Sequence, residues 1–159
     1  MSIRWPDRYH PSRAPVHVRN ERVIDAPAEV VWAWLVRAEQ WPEWYPNSGS
    51  VRVTKGPQDG LALGTEFSWR TFGVALRSTV MECDAPARLA WNAIGFGVDA
   101  YHAWMIEGRD ASSCRVLTEE TQYGGLARLG AALFPRRMWE GHEVWLARLA
   151  ERAATGRPR

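Results

Sequence analysis

"VIDAPAEVVWAWLVRAEQWPEWYP", residues 23–46, changes its character twice. It opens on the end of an alternating run, "VHVRNERVIDA" (16–26), in which Val16, Val18 and Ile24 share one parity, as a half-buried strand requires. At "APAEVVWAWLVR" (26–37) a helix begins. Pro27 suits a first turn, where its missing N–H costs nothing. Glu29, three residues after Ala26, is placed to reach back to a free amide, and Val31, Trp34 and Leu35 fall at helical spacing. Pro42 and Pro46 then forbid a long regular element, so "EQWPEWYP" reads as a second short helical turn. Trp41, Trp44 and Tyr45 are more aromatic surface than a helix end needs: they either plug the end of a core or rim a hole in it.

Downstream, strands are expected near 49–54, 64–70, 74–83, 87–94, 99–108 and 113–122, divided by "KGPQDG", "FG", "DAPA", "GFG" and "GRDASS". None of these connectors is long enough for a parallel crossover, so neighbouring strands pair antiparallel. Phe67 and Trp69 share a face, as do Leu89 and Trp91, and His102, Trp104 and Ile106. Residues 125–156 read as one long helix with an apolar stripe of Leu126, Leu129, Leu133, Met138, Trp145, Leu149 and Ala153, kinked or split by Pro135. The expected architecture is α+β: a seven-stranded antiparallel sheet with two short helices after its first strand, curved around a long C-terminal helix. Residues 16–156 form one domain, preceded by an extended arm (1–15) that packs through Trp5 and Tyr9.

The composition fits one domain: 159 residues, 46% hydrophobic, 24% charged, with an unusual ten tryptophans that imply large apolar walls. A formal net charge of +2, with the arginines scattered and Lys55 the only lysine, gives no nucleic-acid stripe. No apolar run reaches the ~18 residues of a membrane span, so no stable membrane insertion is expected. Cys83 and Cys114 read as reduced thiols on strands, and with no secretion signal the expected compartment is cytoplasmic.

In this order and spacing the motifs resemble those of the SRPBCC superfamily, the helix-grip family of polyketide cyclase/dehydrase, lipid-transport, START-like and birch-pollen-allergen-like proteins. The resemblance is carried by Ile24, Ala26–Pro27, Val31–Trp32, Trp41, Trp44 and Pro46, then by "DAPARLAW" (84–91), "HAWMIE" (102–107) and "VLTEETQYGG" (116–125). It covers residues 16–152 and implies a deep apolar cavity between the sheet and the long helix.

The expected ligand-binding residues are Trp44, Tyr45, Trp69, Trp91, His102, Trp104, Met138 and His142. Two of these residues, together with Glu120, are also catalytic candidates. His102 shares the parity of Trp104, and His142 lies on the sheet-facing stripe of the helix; a desolvated histidine is an acid–base candidate near neutral pH. Of the adjacent pair Glu119 and Glu120, one faces inward. Val116 and Thr118 favour Glu120, while Leu117 and Tyr123 argue for Glu119; Arg77 points outward. The four histidines and two cysteines show no metal-ligand spacing, so no metal site is indicated, and no cofactor fingerprint is present. The leading expectation is carriage of a small hydrophobic or aromatic molecule. The alternative is a cyclase/aromatase-type enzyme acting on a poly-ketone, and a third reading is a protein-partner or stress-response module. No feature of the sequence sets an oligomeric state.

Overall fold

The computed structural model describes residues 2–158; Met1, at the head of the expected arm, lies outside them. Strand β1 (Val16–Ile24) is followed by α1 (Ala28–Leu35), a 3₁₀ turn (Ala38–Glu43), and six further strands: β2 (Gly49–Lys55), β3 (Glu66–Thr71), β4 (Val74–Asp84), β5 (Arg88–Gly95), β6 (Val98–Gly108) and β7 (Cys114–Tyr123). Two helices close the chain, α2 (Gly125–Leu133) and α3 (Arg137–Ala154). The seven strands form one antiparallel sheet in the order β1-β7-β6-β5-β4-β3-β2, so the last strand returns beside the first. This is the curved, helix-grip arrangement anticipated from the sequence.

Two local expectations need correction. Pro27 precedes α1 as its N-cap instead of opening its first turn, and the Glu29 side chain makes no capping hydrogen bond. The carbonyl of Pro27 instead takes the amides of Val30 and Val31. The long C-terminal helix is split in two at Pro135, one of the two outcomes expected there. Residues before a proline are pushed out of the helical region, and Phe134 obeys with φ −134° and ψ 66°.

That break changes what faces the core. His142, Trp145, Leu149 and Ala153 of α3 are buried as the stripe requires. Leu126, Leu129 and Leu133 of α2 are exposed, and only Ala127 of that helix is buried. Once freed from α3, α2 turns its small residues toward the body and its leucines away. With so little burial, its amides are expected to exchange with solvent clearly faster than those of α3. Equal protection of the two helices would show that α2 is held by more than this packing.

The main core joins both short helical segments, α3 and the inner face of the sheet, with Trp41, Trp91, Trp104 and Trp145 all fully buried. Trp41 donates from Nε1 to the carbonyl of Leu35 at 2.9 Å, which pins the 3₁₀ turn to the end of α1. The outer face is covered by the N-terminal segment. Tyr9 stacks on Tyr101 with ring centroids 5.3 Å apart and donates to Asp99 at 2.6 Å, while Trp5 tilts against the same Tyr101 ring. Cys83 on β4 and Cys114 on β7 are free thiols.

Candidate functional site

The sheet's inner face is set by strand parity. On β7, Val116, Thr118 and Glu120 point inward, which settles the choice between the two glutamates. Glu119 lies on the other face, against His17 and Arg19. On β6 the inward residue opposite Glu120 is His102, its direct partner in the strand register. Helix α3 crosses above and delivers His142.

The three side chains converge although 18 and 22 residues separate them along the chain. Oε2 of Glu120 lies 3.3 Å from Nδ1 of His102 and 3.1 Å from Nε2 of His142. Its other oxygen accepts from the Gln122 amide at 2.6 Å. Burial pushes His102 well below its ordinary range, so its imidazole is neutral near neutral pH. Burial alone would raise Glu120, but His102, His142 and Gln122 outweigh it and hold the carboxyl below its usual range. A neutral His102 carries its proton on Nδ1, the ring nitrogen that faces the carboxylate at 3.3 Å. Its Nε2 is then an acceptor, matched by the Thr118 hydroxyl at 2.7 Å. His142 Nε2–H donates to Glu120 Oε2 at 3.1 Å, and in the neutral ring this leaves the lone pair on Nδ1. That atom is buried and has no partner among the described residues.

Two imidazoles and a carboxylate, each offering one atom within 4.8 Å of the others, are also a donor set able to hold a divalent ion. Sequence spacing gave no hint of it, because the residues come from two strands and a helix. Each Glu120 oxygen nevertheless accepts one hydrogen bond from the protein itself, Oε1 from Gln122 and Oε2 from His142.

These residues form the polar corner of an internal cavity of about 180 Å³ bounded by the sheet, α2 and the start of α3. A cavity of about 150 Å³ can take up benzene, whereas drug-sized sites begin near ~300 Å³. This one has room for a ring-sized molecule. Tyr45, Trp69, Trp91, His102, Met138 and His142 all line it, as does Glu120. Trp44 and Trp104 do not. Trp44 is 6% exposed and buried at the sheet's end, so it plugs the core instead of rimming a mouth. Trp104 lies behind His102, ring on ring at 5.2 Å. The aromatic cluster after α1 therefore divides its work: Trp41 and Trp44 fill the core, and Tyr45 faces the cavity from within. Burial raises the Tyr45 phenol far above its ordinary value, so it stays protonated.

Sequence reasoning missed several neighbours. Gln122 was available from parity, two residues beyond Glu120. Phe72 carried no such signal. It sits in the two-residue β3–β4 turn at φ +49°, a region bulky side chains avoid. Its amide donates to Asn47 Oδ1 at 2.9 Å, and the same Asn47 amide donates to the Tyr45 hydroxyl. Gly141 of α3 makes room for the ring, since a Cβ there would meet Phe72 at 2.5 Å. Arg137 lies over both Phe72 and Phe134, and all three line the cavity.

A sheet gripping a terminal helix around an internal cavity, with a polar corner in an otherwise aromatic wall, is the architecture of a small-molecule-binding helix-grip protein. The family model described as polyketide cyclase/dehydrase and lipid transport matches residues 15–154, and the chain belongs to that family. A hypothetical protein of Helicobacter pylori is similar at 31% identity, with a TM-score of 0.88 over 96% of each chain. Two other solved structures share the fold at lower identity. A START superfamily protein of Mycobacterium smegmatis is 13% identical (TM-score 0.70; 87% of this chain, 97% of that one). The Zhui aromatase/cyclase of Streptomyces sp. R1128 is 16% identical (TM-score 0.71; 87% of this chain, 93% of that one). Among curated protein sequences nothing matches.

Proposed function

We propose that this protein binds a small, ring-sized and largely apolar molecule carrying a hydroxyl or enol group, and that the group pairs with His142. The observation that carries this reading is the Nδ1 atom of His142: buried, without a partner among the described residues, on a residue that lines the cavity. A buried acceptor left alone costs about 1–3 kcal/mol, and a ligand O–H removes that cost. The indole N–H groups of Trp91 and Trp145, also cavity-lining and unpartnered, offer donors to a carbonyl on the same molecule.

The test compares p-cresol with p-xylene, which differ by a hydroxyl in place of a methyl. Calorimetry is expected to show saturable binding of both. His142→Phe is expected to weaken p-cresol about tenfold or more relative to p-xylene, the cost of one lost acceptor. An equal effect on the two compounds, or no saturable binding by any small phenol, sinks the reading. Native mass spectrometry of the purified protein would reveal a resident ligand directly.

A second reading has a specific observation in its favour. Glu120 fixes Nε2–H of His142, the way a carboxylate orients a histidine base, and steadies the imidazolium that forms when Nδ1 takes a proton. In the cavity this pair would remove a proton from carbon next to a ring ketone, with Nδ1 of His142 taking it up. Deuterium uptake at that carbon in small aryl ketones, lost in His142→Phe, would establish it. Absence of uptake in the wild type would leave carriage as the function.

A further inference from the structure

Helix α2 is amphipathic in the wrong sense for a helix of a water-soluble fold. Its buried or half-buried residues are Ala127, Gly130 and Ala131, over the cavity, while Leu126, Leu129 and Leu133 share a face at i, i+3 and i+7 and stand in solvent. Leu133 is 62% exposed, and the next residue, Phe134, 56%. The neighbouring β5–β6 loop adds to this surface. The Gly97 carbonyl accepts the amides of Leu126 and Ala127, which fixes the loop against the start of α2. Beside Gly97, Phe96 is 89% exposed. Five large apolar side chains on two adjoining segments make a patch of the kind that marks an interaction surface.

The charge beside it selects the occupant. From Thr121 to Trp139 the chain carries Arg128, Arg136 and Arg137 and no acidic residue, and all three arginines are exposed. Of the two acids that bound this stretch, Glu120 is buried and Glu140 is paired with Arg136. Trp139, 41% exposed, lies under the Arg136 guanidinium. Leucine and phenylalanine on one side, arginine and a tryptophan at the border, and no acidic residue from Thr121 to Trp139 match the interface of an anionic bilayer. There the apolar side chains enter the acyl boundary and guanidinium groups meet lipid phosphates. Among the described residues no helix is long and apolar enough to cross a membrane, so the contact is peripheral.

We propose that α2, Phe134 and the Phe96 loop form a docking surface for the face of an anionic phospholipid membrane. Leu126, Ala127 and Phe134 also line the cavity, so docking brings the lipid phase to the wall of the binding site. A ring-sized apolar ligand would then pass between membrane and cavity without crossing water. The docking itself does not depend on what the cavity holds.

Co-sedimentation with large vesicles tests it. The full chain is expected to sediment with phosphatidylglycerol-containing vesicles, less at high salt, and less with phosphatidylcholine alone. Leu129→Glu/Leu133→Glu, both at exposed sites, is expected to retain the wild-type circular dichroism spectrum and lower the vesicle partition coefficient about tenfold or more. Arg128→Ser/Arg136→Ser is expected to weaken binding to the anionic vesicles only. A wild-type protein that stays in the supernatant with every vesicle overturns the proposal. So does a leucine variant that sediments undiminished. So does a dimer in ultracentrifugation that the leucine variant abolishes without any vesicle binding, since the patch would then be an interface between copies of this chain.

Discussion

Replacing Trp145 with alanine lowers the free energy of unfolding by about 3–5 kcal/mol, the usual cost of emptying a large aromatic position in a core. Trp145 is 1% exposed and lies at the centre of the aromatic cluster. It stacks on Tyr45 at 4.3 Å and meets Trp41 and Trp104 edge-on at 5.1 and 5.0 Å, with His102 at 5.4 Å. These partners come from the segment after α1 and from β6, so the single ring ties α3 to both. One effect opposes the loss: Trp145 also borders the cavity, so its wall there already lacks packing partners. The ring contacts outnumber that open side, and they decide the magnitude. Urea denaturation measures it, and a loss under about 1 kcal/mol would mean that the cluster does not hold α3 in place.

The sheet was readable because its strands are bounded by turn chemistry and several of them alternate clearly, as β1 does. Strands expected at 74–83 and 99–108 run over Val74–Asp84 and Val98–Gly108. The terminal helix was readable as a stripe but not as a direction. The pattern Leu126, Leu129, Leu133 has helical period whether it faces a core or a membrane, and periodicity alone carries no sign. Pro135 marked the break, and only the packing shows that α2 ahead of it turns its leucines outward.

The site was legible in its members more than in its connections. His102 and His142 follow from parity and helical spacing, both local rules. Glu120 was half-decided, because Leu117 and Tyr123 are apolar on the outer face too. Leu117 is buried there, and Tyr123 meets Tyr9 of the N-terminal segment, which packs on that side. A sheet covered on both faces blurs the alternation that identifies either one. The hydrogen bonds that join the three residues depend on strand register and helix placement, which no short-range pattern encodes. Trp44 went astray for a related reason: it sits beside Tyr45, and adjacent residues outside a regular element have no parity to separate plug from lining.

Stability is expected to fall as the pH drops from 7 to 5, with His102 as the cause. Burial holds its folded-state pKa well below the unfolded value of about 6.5. Between those two values the unfolded chain carries a proton that the folded chain refuses. Stability therefore rises with pH in that window and is lost as pH falls through it, by up to about 1.4 kcal/mol per unit. By pH 5 the loss comes to about 2 kcal/mol relative to pH 7. Glu120 works in a lower window. Its folded pKa is depressed, so its contribution is intact above an unfolded value of about 4.3 and declines only below it. Denaturation midpoints at several pH values separate the two, and His102→Phe is expected to flatten the slope between pH 7 and 5 whatever its absolute stability. Should that variant fail to fold, the imidazole proton resonances of His102 in the wild type carry the same information: they should not titrate over this range. A His102 that protonates with an ordinary pKa would contradict the neutral, Thr118-bound imidazole on which the Glu120–His142 arrangement rests.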